Sequence, residues 1–432
     1  MNKVALNFIC KNEAHIVERM MKSVLPVIDM IVAVDTGSTD NTIDIIKKFG
    51  LKNNLPTYIH ERPFDNFSNS RNHALDMLKK HASNAGWDLG RSWGFTVDCD
   101  EWIKIDPAFK KESLEADYYV IRQRIGRETF TRHGLYRLSK EIYWESPIHE
   151  TLAYTDPTIV KKYEFKIEVV EEQVGFSWKG DLVAKFMNYA KMLQDHLDQG
   201  NENFRTVYFL GDSYNAAGSH CKDKEQALHY YKKAQSYFDW AATLEARNME
   251  VRFMLFKKIA ENRQAIGEPW CIVKQNYIQA FLEYPAKAET FALVIEHYID
   301  EKNWELAYYY SKFSYNHFVC KSLGEKRILY NDESLYRWRL LFCVYITAYH
   351  SGRKEEAFAS FKMLKHILKT HPEYFFEEDL ILIKIHTPTV MKIRRWTEIG
   401  KSFISAFMPG RSKTNLTKEI LPAAPKKIHY AA

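Results

Sequence analysis

Residues 30–42 read MIVAVDTGSTDNT and combine a strand, a loop and the start of a helix. The first five residues are apolar and three of them are β-branched, which favours a buried strand. The loop that follows is made of Asp, Thr, Gly and Ser, which are common in turns, and Asn41 can cap a helix predicted over 41–49. A strand, a polar loop and a helix form the repeating unit of a parallel α/β sheet.

The same unit recurs on both sides of this stretch. We predict further strands at 4–10, 57–60 and 93–97, and further helices at 14–25 and 69–82. This alternation is typical of a Rossmann-like, mostly parallel sheet that binds ligands at the carboxyl ends of its strands. Later strands have shorter connections, and we expect them to extend the sheet in antiparallel or mixed fashion; they are predicted near 118–124, 134–138 and 166–170.

The strand patterns end near residue 180, and long helical patterns rich in Leu, Ala and Tyr follow. Ala227, Tyr231 and Ala234 share one helix and resemble a tetratricopeptide unit, in which small residues let paired helices approach. Val273 and Ala307 lie 34 positions apart, which is the period of that repeat. An irregular all-helical domain is the alternative interpretation of these imperfect repeats.

These patterns predict three segments along the chain. An α/β domain occupies 1–180, an all-α domain of tetratricopeptide-like helical repeats occupies 181–408, and a flexible tail occupies 409–432. A helix predicted at 389–408 is basic and amphipathic, so it is the segment suited to membrane contact, although a last helix capping the repeats is the favoured interpretation.

Composition and residue spacing argue against several classes of protein. The 61 basic and 55 acidic residues are interspersed, which argues against a nucleic-acid binder. No apolar run approaches the ~18 residues that would span a bilayer. The six cysteines form no paired spacing, so we expect reduced thiols and a cytoplasmic protein.

The residues that carry chemistry begin with Asp98 and Asp100, which follow the strand at 93–97. Carboxylate oxygens at such a strand end can bind Mg²⁺ or Mn²⁺, which would neutralise a diphosphate. This pair alone is weak evidence, because a solvated acidic turn has the same pattern.

Three other polar segments precede this pair: CKNE at 10–13, VDTGSTDNT at 34–42 and DNFSNSRN at 65–72. Each lies at a strand's carboxyl end or a helix's amino end, where backbone N–H groups can hold a nucleotide and its phosphates. In this order, the segments and the Asp-x-Asp pair resemble family 2 glycosyltransferases of the GT-A fold, over most of residues 1–180.

The resemblance implies roles for individual residues. Asp98 and Asp100 would bind Mn²⁺ or Mg²⁺ under the diphosphate, and a UDP-sugar is the favoured donor. At Thr36 many family members have a second Asp that contacts uracil, which makes the base less certain. The nucleotide-sugar would contact Asn12, Glu13, Asp35, Thr36, Arg71, Asp98 and Arg137.

The segment WESPIHE at 144–150, preceded by Arg137, resembles a subgroup that carries helical repeats after the transferase domain and includes an S-glycosyltransferase that modifies a bacteriocin. An inverting transfer needs a base for the acceptor proton. The resemblance implies Glu150 as that base and His149 as the residue that orients it or binds acceptor. Glu145 is the reserve candidate, and a buried His–Glu pair that only ties a loop is the alternative.

Two functions remain open at this stage. The leading hypothesis is a metal-dependent glycosyltransferase whose helical repeats recruit a protein or peptide acceptor. The competing hypothesis is a non-catalytic repeat scaffold with a degenerate nucleotide-sugar domain. Gln173 favours the scaffold, because the subgroup commonly has a His there that can complete the metal and diphosphate site.

Overall fold

The structure is a computed structural model that describes residues 1–320 and 330–390. Its first half is a mixed sheet with helices on both faces. Its strands are β1 Lys3–Cys10, β2 Met30–Asp35, β3 Thr57–Glu61, β4 Ser92–Thr96, β5 Glu101–Ile105, β6 Tyr118–Ile125, β7 Glu128–Arg137, β8 Ile142–Glu145, β9 Thr151–Tyr154 and β10 Lys161–Glu171. The helices of this half are α1 Val17–Val24, α2 Thr42–Lys52 and α3 Phe67–Asn84. A two-residue strand of the second half, β11 Asn331–Asp332, pairs with β7.

The main sheet has the strand order β3-β2-β1-β4-β7-β6-β10-β5. The first four strands of this order are parallel to one another. β7 joins β4 in antiparallel orientation, and β6 and β5 also have antiparallel neighbours. The expected parallel sheet with a mixed extension is therefore confirmed. The switch follows from the connections, because helices return the chain between parallel strands whereas β6 and β7 are joined by a short turn.

Both faces of the sheet are covered, which explains why β1 is mostly apolar; its buried exception, Asn7, donates to the carbonyls of Val32 and Ala74. Leu6 and Phe8 pack on the side of α1 and α2. Ala5 packs on the opposite side, with Leu75 and Leu78 of α3. Strands buried on two faces have continuous apolar runs instead of alternating ones, and this is the signal that located β1 and β2 in the sequence.

The strand predicted at 134–138 belongs to a longer strand, β7. Its first half contains Thr129, Thr131 and Arg132, whose polar side chains interrupt the apolar pattern. The hairpin of β8 and β9 was not predicted, since strands of four residues carry little periodicity. The strand β5 was not predicted either, because Glu101 and Lys104 interrupt its apolar pattern.

The second half is helical, as the repeat pattern predicted. Successive helices pack as neighbours, with the pairs α5·α6, α7·α8, α9·α10 and α11·α12. The helices are α4 Leu182–Asp198, α5 Phe204–His220, α6 Lys224–Thr243, α7 Met249–Ile266, α8 Trp270–Glu283, α9 Glu289–Asp300, α10 Trp304–Ser314, α11 Leu340–His350, α12 Lys354–Thr370 and α13 Glu377–Val390.

The predictions for the end of the chain concern residues that mostly lie outside the described ones. The tail at 409–432 and most of the helix at 389–408 fall there, and α13 ends at Val390. Within residues 1–320 and 330–390, no helix is long and apolar enough to cross a membrane.

Small residues allow the close approach of α5 and α6. A methyl group at Gly211 would lie 2.8 Å from Cδ1 of Phe238, and one at Gly218 would lie 2.9 Å from Cε1 of Tyr231. Phe238 is fully buried, so its ring has no free space into which it could move. This is the small-residue contact that the tetratricopeptide-like pattern predicted.

We therefore expect Gly211→Ala to lower the melting temperature of the protein. A Gly to Ala change inside a helix normally stabilises it by about 1 kcal/mol, but overpacking a filled core costs about 1–3 kcal/mol. Thermal unfolding followed by circular dichroism measures the sign. Ser236→Ala, at an exposed position of α6, is the control and should change stability by less than about 0.5 kcal/mol. A melting temperature that is unchanged or higher for Gly211→Ala would contradict the packing described for these helices.

Candidate functional site

A cleft of about 2820 Å³ opens at the carboxyl ends of β1 and β4. Residues of both halves line it, including Asp98 and Glu150 from the α/β half and Lys185 and Phe209 from the helical half. Asp98 and Asp100 are half-buried and lie in its wall, so a ligand in the cleft can reach them.

The loop after β2 is organised by Asp35, which is 3% exposed. Its Oδ2 accepts hydrogen bonds from the N–H groups of Gly37 at 3.1 Å and Ser38 at 2.9 Å. Thr36 is also buried, and its hydroxyl donates to the carbonyl of Cys10 at 3.1 Å. Asp35 therefore shapes its own loop, and Thr36 joins that loop to the end of β1.

The loop after β1 is held against the loop after β2. Oδ1 of Asn12 accepts from the N–H of Thr39 at 2.7 Å, and the N–H of Asn12 donates to Oγ of Ser38 at 2.9 Å. Asn12 has a positive φ of 56°, which Asn tolerates better than most residues. The backbone of the two predicted nucleotide loops is thus fixed in one arrangement.

Glu13 reaches from the same loop to the segment that follows β10. Its Oε1 accepts from the N–H of Phe176 at 2.9 Å. Its Oε2 is buried and has no hydrogen-bond partner among the described residues. Burial raises the pKa of Glu13, although the hydrogen bond from Phe176 opposes this change.

Arg71 connects the predicted metal ligand Asp98 with the predicted base Glu150. It lies in the second turn of α3, which begins after Asn66 caps the helix by accepting from the N–H of Asn69. Its Nη2 donates to both carboxylate oxygens of Asp98, at 2.8 and 2.9 Å. Its Nε donates to Oε1 of Glu150. Burial raises the pKa of Asp98, but the charges of Arg71 and Arg132 and the hydrogen bonds from Arg71 together outweigh burial and hold that pKa below its ordinary value.

Asp100 lies in an excess of negative charge. Burial raises the pKa of Asp100 to about 7, and the charges of Asp98, Glu171 and Glu13 add to that effect. The hydrogen bond from its own backbone N–H lowers the pKa of Asp100, but it does not offset the surrounding carboxylates. A Cβ atom at Gly175 would lie 3.0 Å from Oδ2 of Asp100, so a larger residue there would push the carboxylate by a few tenths of an ångström.

A second buried network supports the Asp-x-Asp turn and was not predicted. Oε2 of Glu101 accepts from the N–H of Asp98 at 2.7 Å, and Oε1 of Glu101 pairs with Arg132. Gln123 donates to Oε2 of Glu171 at 2.6 Å. Burial raises the pKa of Glu101 to about 7, although Arg132 opposes the rise. Glu101 directly follows the Asp-x-Asp pair, but no sequence signal pointed to Arg132.

The loop between β8 and β9 presents Glu150 and His149 to the cleft. Ser146 and His149 both have positive φ, 73° and 52°, which is strained backbone for such residues. The ring of His149 stacks on Phe209 of α5 with centroids 4.0 Å apart, and Arg205 donates to the carbonyl of His149. Desolvation lowers the pKa of His149, and Asp212 opposes that change. The neutral ring is therefore the favoured form near pH 7.

Arg137 is not part of this constellation, which corrects the sequence expectation. It pairs in register with Trp93, at the amino end of β4, whereas the cleft lies at the carboxyl end. Its guanidinium donates to Oδ1 of Asp117 at 2.8 Å and to the carbonyls of Gly90 and Glu115. Arg132 lies at the cleft instead, since β7 runs antiparallel to β4.

The donor set fits a divalent cation only in part. Asp98 and Asp100 offer hard oxygen ligands, as Mg²⁺ and Mn²⁺ require. Within residues 1–320 and 330–390, no group of three His, Cys, Asp or Glu side chains is arranged to hold a metal. The excess of negative charge at Asp100 favours a cation there, and further ligands would have to come from phosphate oxygens. Gln173 lines the same cleft and supplies no imidazole.

Comparison with known proteins gives a match for most of the α/β half. Residues 8–152, about a third of the chain, match the model of Glycosyl transferase family 2. No curated protein sequence matches the chain.

Several solved structures match parts of the chain, all at low identity. S. aureus TarS 1-349 in complex with UDP is 14% identical, with a TM-score of 0.30, and the match covers 64% of this chain and 91% of that one. MamA is 12% identical with a TM-score of 0.31, over 45% of this chain and 88% of its own. A kinesin light chain from Podosopora anserina with nearly identical TPR-like repeats is 14% identical, with a TM-score of 0.30, over 44% and 90%. Identities and TM-scores this low do not indicate a function for the chain.

The raised pKa of Asp100 predicts a pH-dependent stability. An unfolded Asp releases its proton near the ordinary value of 3.8, whereas the folded one keeps it until about 7. The folded state therefore loses stability as the pH rises between these values, and the loss persists above them. Without divalent cations, we expect Asp100→Asn to melt at a higher temperature than wild type near pH 8, with a difference that vanishes near pH 4.

Asp76→Asn is the matched control, because Asp76 is exposed on α3 outside the cleft. Its melting temperature should follow wild type at every pH. A difference for Asp100→Asn that does not change with pH would contradict the electrostatic description of the site.

Proposed function

We propose that the chain transfers a sugar from a nucleoside-diphosphate donor, with a UDP-sugar favoured, to a protein or peptide acceptor with inversion at the sugar carbon. The family 2 domain supports the class of reaction. The observation that carries the finer proposal is the pair of hydrogen-bonded contacts from Arg71 to Asp98 and Glu150. These contacts bring the proposed donor end and the proposed base to one wall of the cleft.

The donor would bind across the carboxyl ends of β1, β2 and β4. Asn12, Glu13, Asp35 and Thr36 belong to the two loops whose backbone is fixed by mutual hydrogen bonds, and these loops would hold the nucleoside. Asp98 and Asp100 would hold Mn²⁺ or Mg²⁺ together with the diphosphate. When bound, a divalent cation neutralises the negative charge of the diphosphate.

Glu150 is the proposed general base. The acceptor nucleophile attacks C1 of the sugar and gives its proton to the Glu150 carboxylate. The bond between C1 and the diphosphate oxygen breaks, and its electron pair leaves with the nucleoside diphosphate. Attack on the face opposite the leaving group inverts C1. His149, stacked on Phe209 beside the base, would contact the acceptor as a neutral ring.

The size of the cleft supports a macromolecular acceptor. Small-molecule sites have volumes of about 300–1,000 Å³, whereas this cleft has about 2820 Å³. The additional space extends along the helical half, past Arg205, Phe209 and Lys258. Helical repeats form grooves of this kind for extended peptides, so we favour a protein or peptide over a free sugar.

A non-catalytic repeat scaffold remains the second candidate, because Gln173 occupies a position where the resembling subgroup commonly has a His. The charge arrangement argues against it. Asp100 and Glu171 both have pKa values raised to about 7, so their ionised forms destabilise the folded domain. A domain without a ligand to bind would be stabilised by losing these two carboxylates.

Calorimetry with UDP-, GDP- and dTDP-sugars, with and without Mn²⁺, tests the donor and the metal. We expect the wild-type protein to bind a UDP-sugar, and to bind it more tightly with Mn²⁺. Asp100→Ala should lose the Mn²⁺ enhancement while the protein remains folded, because the diphosphate charge is no longer compensated. Asp76→Ala should keep it. If Asp100→Ala binds and transfers like wild type, the metal assignment is wrong.

Glu150→Gln tests the base. Glutamine keeps the size of the side chain and can still accept the hydrogen bond from Arg71. We expect the transfer rate to fall by about 10²–10⁴-fold, because a positioned base contributes that much, while donor affinity stays nearly constant. Glu145→Gln, at an exposed position of the same segment, is the control. Normal transfer by Glu150→Gln with a lower melting temperature would instead show that the residue only ties the loop.

A further inference from the structure

The segment 172–180 crosses from β10 to the helical half beside the proposed donor site. Glu172 pairs with Arg19 at 2.5 Å, and the carbonyl of Val174 lies 3.0 Å from Nε2 of His15. The N–H of Phe176 donates to Glu13. These contacts fix the segment across the loop after β1. It lies beyond residues 8–152, so the family match does not include it.

This segment and α4 together hold the amine of Lys185. Its Nζ lies 3.5 Å from the ring centroid of Trp178, 5.3 Å from that of Phe186 and 5.6 Å from that of Tyr189. An ammonium group over an aromatic face is attracted by the ring and stays on that side. It has three N–H donors, and a ring face leaves room for a further acceptor. Lys185 lines the same cleft as Asp98 and Asp100.

Arg71 and Arg132 beside the Asp-x-Asp turn are already paired with carboxylates, so a further cation is needed there to contact a bound anion. The guanidinium of Arg71 is shared by Asp98 and Glu150, and that of Arg132 is paired with Glu101. Lys185 forms no ion pair with the described residues. Burial lowers the pKa of Lys185 to about 8, while the charges of Asp100 and Glu171 oppose that change. The amine therefore remains mostly protonated at neutral pH, within the electrostatic reach of the carboxylates that line the proposed donor site.

We propose that Lys185 contacts the diphosphate of the nucleotide-sugar donor, so that the helical half completes the donor site. This inference rests on the proposed function, because it assumes a nucleoside-diphosphate donor. Transfer breaks the bond between C1 of the sugar and a diphosphate oxygen, and the electron pair stays on that oxygen. Lys185 remains protonated and compensates the charge that develops there, while the acceptor proton goes to Glu150.

The test compares three ligands that differ only in phosphate: uridine, UMP and UDP. Binding to the full chain is measured by calorimetry with EDTA present, so that no divalent cation compensates the phosphates. Lys185→Met keeps the length of the side chain and its contact with the rings but removes the charge. Lys185→Arg keeps the charge. Lys191→Met is the control, since Lys191 is exposed on the same helix and pairs with Asp195 at 2.7 Å.

We expect Lys185→Met to weaken UDP binding by about 10–100-fold, as the loss of a hydrogen bond to a charged group does. Uridine affinity should stay within about twofold, because uridine has no phosphate for the amine to contact. Lys185→Arg should recover most of the UDP affinity, and Lys191→Met should match wild type for all three ligands.

The possible failures are distinguishable. If wild type binds UDP more tightly than uridine and Lys185→Met does the same, the assignment of Lys185 is overturned while the proposed function stands. A parallel loss of uridine and UDP binding would make Lys185 a packing residue and would also overturn it. If wild type binds none of the UDP-, GDP- and dTDP-sugars, with or without Mn²⁺, the proposed function fails, and the role of Lys185 fails with it.

Discussion

The buried guanidinium of Arg71 is the contact on which the rest of the site depends. A buried charge is tolerated only when it is paired and hydrogen-bonded, and Arg71 finds its partners on two separate loops, at Asp98 and Glu150. The Asp-x-Asp turn, the strained loop after β8 and the first turns of α3 must therefore adopt compatible positions together. Removing either carboxylate would leave the other as the only described ion-pair partner of the arginine, so the three residues form one structural unit.

Around this unit, negative charge is concentrated instead of neutralised. Arg132 compensates Glu101, but burial and neighbouring carboxylates raise the pKa values of Asp100 and Glu171 to about 7. An unliganded protein bears this cost in stability, and a cation near Asp100 would relieve it. The strained backbone at Ser146 and His149 also reduces stability at the place where a ligand would bind, as the crowded carboxylates do.

The sequence predicted the parallel strands, because β1, β2 and β4 are buried on both faces and are mostly apolar. It predicted the Asp-x-Asp pair because the pair directly follows the last of these strands. It did not predict which arginine of β7 reaches the cleft. In a strand antiparallel to β4, earlier residues lie nearer the carboxyl end of β4, so Arg132 and not Arg137 is at the cleft, about 17 Å along the strand. That choice depends on strand direction, which residue patterns alone do not carry. The contact of Lys185 with Trp178 was also not predicted, since the family resemblance ended near residue 180.

Lys185 and its neighbouring helices show how the α/β half and the helical half share one cleft. α4 carries Lys185 toward the proposed donor site, and the adjacent helix α5 carries Phe209 and Arg205, which contact the loop of His149 and Glu150. Two neighbouring helices thus touch the donor side and the base side of the same site. Because α4 and α5 pack directly on each other, a displacement of one helix would move contacts on both sides. The helical half therefore contributes side chains to both sides of the proposed site.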